Sequence, residues 1–176
     1  MKKLPQVLLF VIFIISCNTP KENTVKVTVA AEKDSINVVL NSWHKSAAEA
    51  KFKAYFKAMT DSSVFIGTDA SENWTIAEFK SFSKPYFDRG NAWNFKPVNR
   101  HIYVNKQGDV AWFDELLDTW MGVCRGSGVL LKDENSEWKI EHYVLSVTIP
   151  NESVNEVIAV KKEKDSVFLN KLKLLN

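Results

Sequence analysis

The chain reads as an α+β protein in which N-terminal helices pack on one face of a curved antiparallel sheet. Three observations predict this. Apolar residues recur at three- and four-residue spacing through the first half of the chain. After Gly90 come four long runs rich in aromatic and β-branched residues, and two short polar segments join them as hairpin turns. Helices first and then a meander of strands is the order of an α+β domain. With 11 Phe, 6 Trp and 4 Tyr in 176 residues, the chain has ample material for one core.

The first helix is expected from Asp34, with Asp34 or Ser35 as its cap. Ile36, Val39, Leu40 and Trp43 form its apolar stripe, which continues through Ala47 and Ala50. Phe52, Tyr55, Phe56 and Met59 predict a second helix that ends near Thr60-Asp61. Ser63 to Gly67 reads as a short strand and Thr68 to Asn73 as a polar turn. Thr75 then caps a helix to Phe87, striped by Ile76, Phe79, Phe82 and Phe87, and Pro85 should stop or bend it. The four strand runs are Ala92 to Asn105, Asp109 to Met121, Val123 to Lys132 and Trp138 to Ile149. Asn105-Lys106-Gln107-Gly108 and Asp133-Glu134-Asn135-Ser136 are the turns. Asn151 to Asn176 resumes a weaker helical period through Val154, Val157, Ile158, Phe168, Leu169 and Leu172.

Residues 1–17, MKKLPQVLLFVIFIISC, state an address. Lys2 and Lys3 precede a short apolar stretch from Val7 to Ile15, too short to span a bilayer and in keeping with an export signal. Ile14-Ile15-Ser16-Cys17 resembles the lipobox of bacterial lipoproteins. That resemblance implies cleavage before Cys17, acylation there, and a domain fixed by lipid in a bacterial cell envelope. Asn18 after the cysteine resembles the sorting signal for the outer membrane, with the domain facing the periplasm. The organisation expected is a signal peptide over 1–16, the lipidated Cys17 and a polar tether over 17–33, a domain over 34–160 and a helical extension over 161–176.

Composition excludes several classes of function. Loss of Lys2 and Lys3 takes the formal charge from +2 to 0, so nothing draws the mature chain to nucleic acid. With Cys17 acylated, Cys124 is the one remaining thiol, and no intramolecular disulfide can form. His44, His101 and His142 lie far apart, without the spacing of a metal site. Gly126-Ser127-Gly128 is no phosphate loop, since no helix follows it, and no cofactor is expected; glycines inside a strand mark a bend or a close approach of backbone.

Helices packed into a strongly bent sheet leave a conical cavity, and polar groups pointing into it would form the site. In Trp112-Phe113-Asp114-Glu115-Leu116-Leu117, alternation sends Asp114 and Glu115 to opposite faces, and apolar neighbours on both sides put one of them inside. A carboxylate there is either a general base or ligand hook, or is paired with Arg100 or Arg125 on the flanking strands. His44 lies in an otherwise apolar helix, where it is a site residue, a flank residue or a satisfied core histidine. On the last strand, simple alternation sets Trp138, Ile140 and His142 against Lys139, Glu141 and Tyr143, so either His142 or Tyr143 lines the cavity. Asp69, Glu72 and Trp74 form a cavity rim or a turn and helix cap.

These stretches together resemble the SnoaL-like branch of the nuclear transport factor 2-like superfamily. The resemblance runs from Trp43-His44 through Phe65-Ile66-Gly67-Thr68-Asp69, Glu72, Trp74, Trp112-Phe113-Asp114-Glu115 and Arg125-Gly126-Ser127-Gly128-Val129. It continues in Trp138-Lys139-Ile140, Leu145-Ser146 and Ile149-Pro150-Asn151-Glu152. It implies a cone, a highly curved sheet wrapped around N-terminal helices, commonly paired into a homodimer through the outer face of the sheet. The abundance of aromatic residues and the few polar groups on the cavity-forming strands point to a cavity that binds a small, largely apolar molecule, with Trp74, Trp93, Arg100, Glu115, Arg125 and Tyr143 as binding candidates. An enzyme of the isomerase, cyclase or dehydratase type would take Asp114, His44 or His142 as its base, steadying the oxyanion through Arg125 or Tyr143. A non-catalytic dimeric interaction module is the third expectation.

Overall fold

The computed structural model describes residues 28–90 and 92–175. The signal peptide, Cys17 and most of the expected tether lie outside the described residues. Helix α1 (Val29–Ala48) starts five residues earlier than the apolar stripe suggests, because Thr28 caps it by accepting a hydrogen bond from the Ala31 backbone N–H. Ser35 is no cap; its hydroxyl donates to the Ala31 carbonyl within the helix. Ala50 closes the helix with a left-handed φ of 52°. Helix α2 (Phe52–Lys57) is shorter than expected, since strand β1 (Met59–Ile66) begins where the helical spacing still runs on.

After a tight turn come strand β2 (Asn73–Thr75) and helix α3 (Ile76–Asp88). Thr75 caps α3, as expected, and does so in a reciprocal box with Glu78. Pro85 does not stop the helix, which continues to Asp88. Strands β3 (Lys96–Val104), β4 (Val110–Thr119), β5 (Gly122–Lys132) and β6 (Trp138–Val147) follow the four predicted runs, trimmed at their ends. A single turn of 3₁₀ helix (Asn151–Ser153) leads into helix α4 (Val154–Lys173), which is continuous across residue 160. The expected boundary at 160/161 therefore falls inside one helix.

The six strands lie in the order β2-β1-β6-β5-β4-β3. All neighbours are antiparallel except β1 and β6, which run parallel, a pairing the meander alone does not announce. Helix α1 packs against β3 and β6, and α3 against β1 and β2, so all three N-terminal helices cover the same inner face. Buried positions alternate along β4 and β5: Ala111, Phe113, Glu115 and Leu117 point inward, as do Cys124, Gly126, Gly128 and Leu130. On β6 a bulge interrupts the alternation. Val129 pairs with His142 but Leu130 pairs with Ile140, so Glu141 is an extra residue. Tyr143 and Leu145 thereby join Trp138 and Ile140 on the inner face, and His142 turns outward.

The core spans Ile36 to Leu145, so a chain that begins at Lys21 keeps all of it. Its centre is aromatic. Trp43 stacks on Tyr55 at 4.9 Å and meets Tyr143 edge-on at 4.7 Å, and Phe65 stacks on Phe79 at 3.9 Å.

Candidate functional site

Glu115 is the hub of the inner face. It is 1% exposed, midway along β4, and directly opposite Arg100 on β3. On the helix side, Asn37, Asn41 and His44 recur at four and three residues and so share the α1 face turned toward it. Glu115 Oε1 lies 2.7 Å from His44 Nε2 and accepts from the Tyr143 hydroxyl at 3.3 Å. Its Oε2 accepts from Arg100 Nε at 2.9 Å and Nη2 at 2.7 Å. The remaining guanidinium nitrogen, Nη1, donates to the side-chain carbonyls of Asn37 at 3.0 Å and Asn41 at 2.9 Å. Gly126 makes room for this arrangement: a Cβ there would fall 2.2 Å from the Tyr143 hydroxyl and 3.0 Å from Glu115 Cγ.

The electrostatics follow from those partners. Burial alone pushes the Glu115 carboxyl up, but the hydrogen bond and charge of His44, with the charge of Arg100, outweigh it and hold the group below its ordinary value. Burial first, and then the Glu115 charge, raise the Tyr143 hydroxyl well above the ordinary tyrosine range. A carboxylate that is held ionised, with both oxygens engaged, is a poor proton acceptor. Its arrangement is that of a structural knot tying α1 to β3, β4 and β6.

The sequence candidates separate into three groups. His44, Arg100, Glu115 and Tyr143 come together in this knot. Trp74 and Trp93 line a second feature, described below. Asp114, Arg125 and His142 are on the outer face of the sheet, away from the cone interior. Asp114 stands 3.1 Å from His101 Nδ1, with both side chains about half exposed. Arg125 is exposed between the inward Cys124 and Gly126, and the β6 bulge turns His142 away. Asn37 and Asn41 are the members of the knot that sequence reasoning missed. Their i, i+4, i+7 spacing with His44 was the available signal.

At the other end of the inner face the rings leave a cavity of about 210 Å³. Phe65, Trp74, Phe79, Phe82, Trp93 and Trp120 are among its walls. Trp74 stacks on Phe82 at 4.3 Å, whereas Trp120 is 82% exposed at the rim. The turn before β2 closes one side. Asp69 accepts from the backbone and hydroxyl of Ser71, and Glu72, which lines the cavity, accepts from the Asp69 backbone N–H at 3.1 Å. These two carboxylates thus satisfy turn donors. Behind Trp93, at 5.5 Å between ring centroids, lies Tyr55, whose buried hydroxyl is near the Trp93 indole but has no partner within hydrogen-bond geometry; the Trp43 indole N–H is likewise unpaired.

No curated protein matches the sequence. Solved structures do match the fold. A nuclear transport factor 2-like protein of unknown function from Pseudomonas putida KT2440 aligns with a TM-score of 0.58 at 13% identity, over 72% of this chain and 92% of that one. A candidate dehydratase of the same superfamily from Streptomyces avermitilis aligns at 0.60 and 10% identity, over 70% of this chain and all of the other. The association domain of C. elegans CaMKII aligns at 0.55 and 20% identity, over 67% and 97%. At such identities the likeness speaks for the cone alone. The SnoaL-like domain family matches residues 36–150, from the first core position of α1 to the end of the sheet. With the fold and this match in agreement, the chain belongs to the SnoaL-like domain family.

Proposed function

We propose that this domain is a non-catalytic receptor for a small, flat, largely apolar molecule, taken up in the aromatic end of the cone. The cavity carries this reading: stacked rings wall it, and its volume exceeds the ~150 Å³ that holds a benzene ring in an apolar core. A bicyclic ring system is of suitable size. Thr68 and Glu72 on the lining suit a ligand with one polar group. General-base catalysis finds little support, because Glu115 is locked in its knot and Glu72 is tied to its turn.

Titration of the chain from Lys21 with 2-naphthol, followed by tryptophan fluorescence and native mass spectrometry, tests the proposal. Saturable binding is expected, and Trp74→Ala or Trp93→Ala should weaken it roughly tenfold or more, as loss of a buried aromatic anchor does. Equal affinity in both variants would remove the site from this cavity. The address is a separate proposal: lipid on Cys17 holds the receptor at a bacterial envelope. The full chain should incorporate labelled palmitate, and Cys17→Ser should abolish the label; undiminished labelling would overturn the anchor.

A further inference from the structure

Helix α4 is 20 residues long and contributes nothing to the core. Among the described residues, the element in substantial contact with it is the 3₁₀ turn that leads into it. Its apolar face is nonetheless built. Val157, Ile158 and Leu169, together with Ile149 where the chain leaves the sheet, line a groove of about 370 Å³. Ile158, Lys161, Asp165 and Phe168 recur at alternating three- and four-residue steps, the spacing of a coiled-coil seam. At the middle of that seam sit two opposite charges, Lys161 and Asp165, 3.3 Å apart in the same helix.

The pattern is symmetric about Glu163. Reading outward from that point, Lys161 corresponds to Asp165, Ile158 to Phe168 and Val157 to Leu169. A second α4 laid antiparallel across the first, with the twofold axis at the level of Glu163, therefore sets apolar against apolar at both ends. It sets Lys161 against the Asp165 of the other copy, twice, in the centre. A parallel pair would instead oppose lysine to lysine and aspartate to aspartate, which is unfavourable. A lone polar pair in a seam is the feature that sets register and orientation. We propose that α4 is a self-association helix, and that two copies of this chain join through antiparallel α4 helices, each C-terminal half lying in the groove where the other α4 leaves its domain. This contact is independent of the ligand cavity and of any pairing through the outer sheet face.

Charge reversal tests it on the chain from Lys21, by sedimentation equilibrium and native mass spectrometry. Lys161→Asp places only acidic groups at the centre of the seam, and Asp165→Lys only basic ones. Each variant alone should weaken association roughly a hundredfold, the effect of opposing like charges. An equimolar mixture of the two should restore it as a mixed assembly, because each then faces its opposite. A second measurement reads the register: Ile158→Cys and Phe168→Cys chains should cross-link to each other on oxidation, and far less to themselves. Neither site is in the core, so the variants keep the fold. Wild-type protein that stays monomeric, including protein that binds lipid vesicles as a monomer, would overturn the proposal. So would reversal variants that associate as wild type, or Ile158→Cys chains that cross-link mainly to one another.

Discussion

Glu115→Ala is expected to lower the unfolding free energy by about 3–5 kcal/mol, the cost of removing one partner from a buried ion pair. The magnitude follows from what the substitution leaves behind. The Arg100 side chain is only 7% exposed and would keep its charge with two asparagine carbonyls as its remaining partners. His44 would lose its 2.7 Å partner in a site only 5% exposed. The Tyr143 hydroxyl, also buried, would lose its acceptor. Glu115→Gln should cost less, because the amide oxygen still accepts from Arg100. Acid titration separates the charge from the packing. The folded carboxyl lies below its ordinary value of 4.5, so the unfolded chain binds the proton more readily. The contribution of Glu115 is then fully present above that value and is lost as pH falls through the folded one. Chemical denaturation of wild type should show this loss below about pH 4.5, and Glu115→Gln should flatten the slope in that window. A loss under about 1 kcal/mol for Glu115→Ala would mean that the ion pair is hydrated rather than buried.

The knot shows where the sequence could be read and where it could not. Alternation guarantees that one of Asp114 and Glu115 faces inward, yet Phe113 and Leu117 share the parity of Glu115 while Trp112 and Leu116 share that of Asp114. Both phases look apolar, and only the pairing with a polar α1 face decides between them. Arg100 is legible as a flanking cation, but Arg125, equally placed in chain order, has the opposite parity on its strand. The β6 alternation fails for a different reason. One extra residue at Glu141 reverses every side chain beyond it, and the hydroxyls that hold that residue, on Thr60 and Ser62, sit 79 to 81 residues away in sequence. The early start of α1 has a similar cause. Thr28 and Ala30-Ala31-Glu32 suit a helix locally, but Glu32 is held by Lys132 and by the Trp138 indole at 2.8 Å, partners from the far hairpin. Patterns within one element are readable where that element alone sets its burial. They mislead where a distant contact chooses the phase.

Gly128→Ala should be nearly as costly as loss of Glu115, at about 3 kcal/mol, although it adds a single methyl group. Its Cβ would lie 2.3 Å from the backbone oxygen of His142 and 2.9 Å from a ring carbon of Phe113. Neither neighbour can yield. The His142 carbonyl belongs to the backbone of the β6 bulge, and Phe113 is 3% exposed in the core. For a chain of this size the loss corresponds to a fall of roughly 6–12 °C in Tm, readable by thermal denaturation. Gly108→Ala is the control. Gly108 has a φ of +78°, and nothing lies within 4 Å of the place its methyl group would take, so the cost is conformational strain alone, about 1 kcal/mol. If the two variants melted together, the close approach of β5 and β6 at the bulge would not be a fixed feature of the fold. A large gap between them would tie the bulge to the glycine at 128. The missing side chain at 128 admits the bulge, the bulge turns Tyr143 inward, and the missing side chain at 126 lets its hydroxyl reach Glu115. The bend of the sheet and the buried knot then stand or fall together, which is why methyl groups on β5 are expected to disturb a carboxylate on β4.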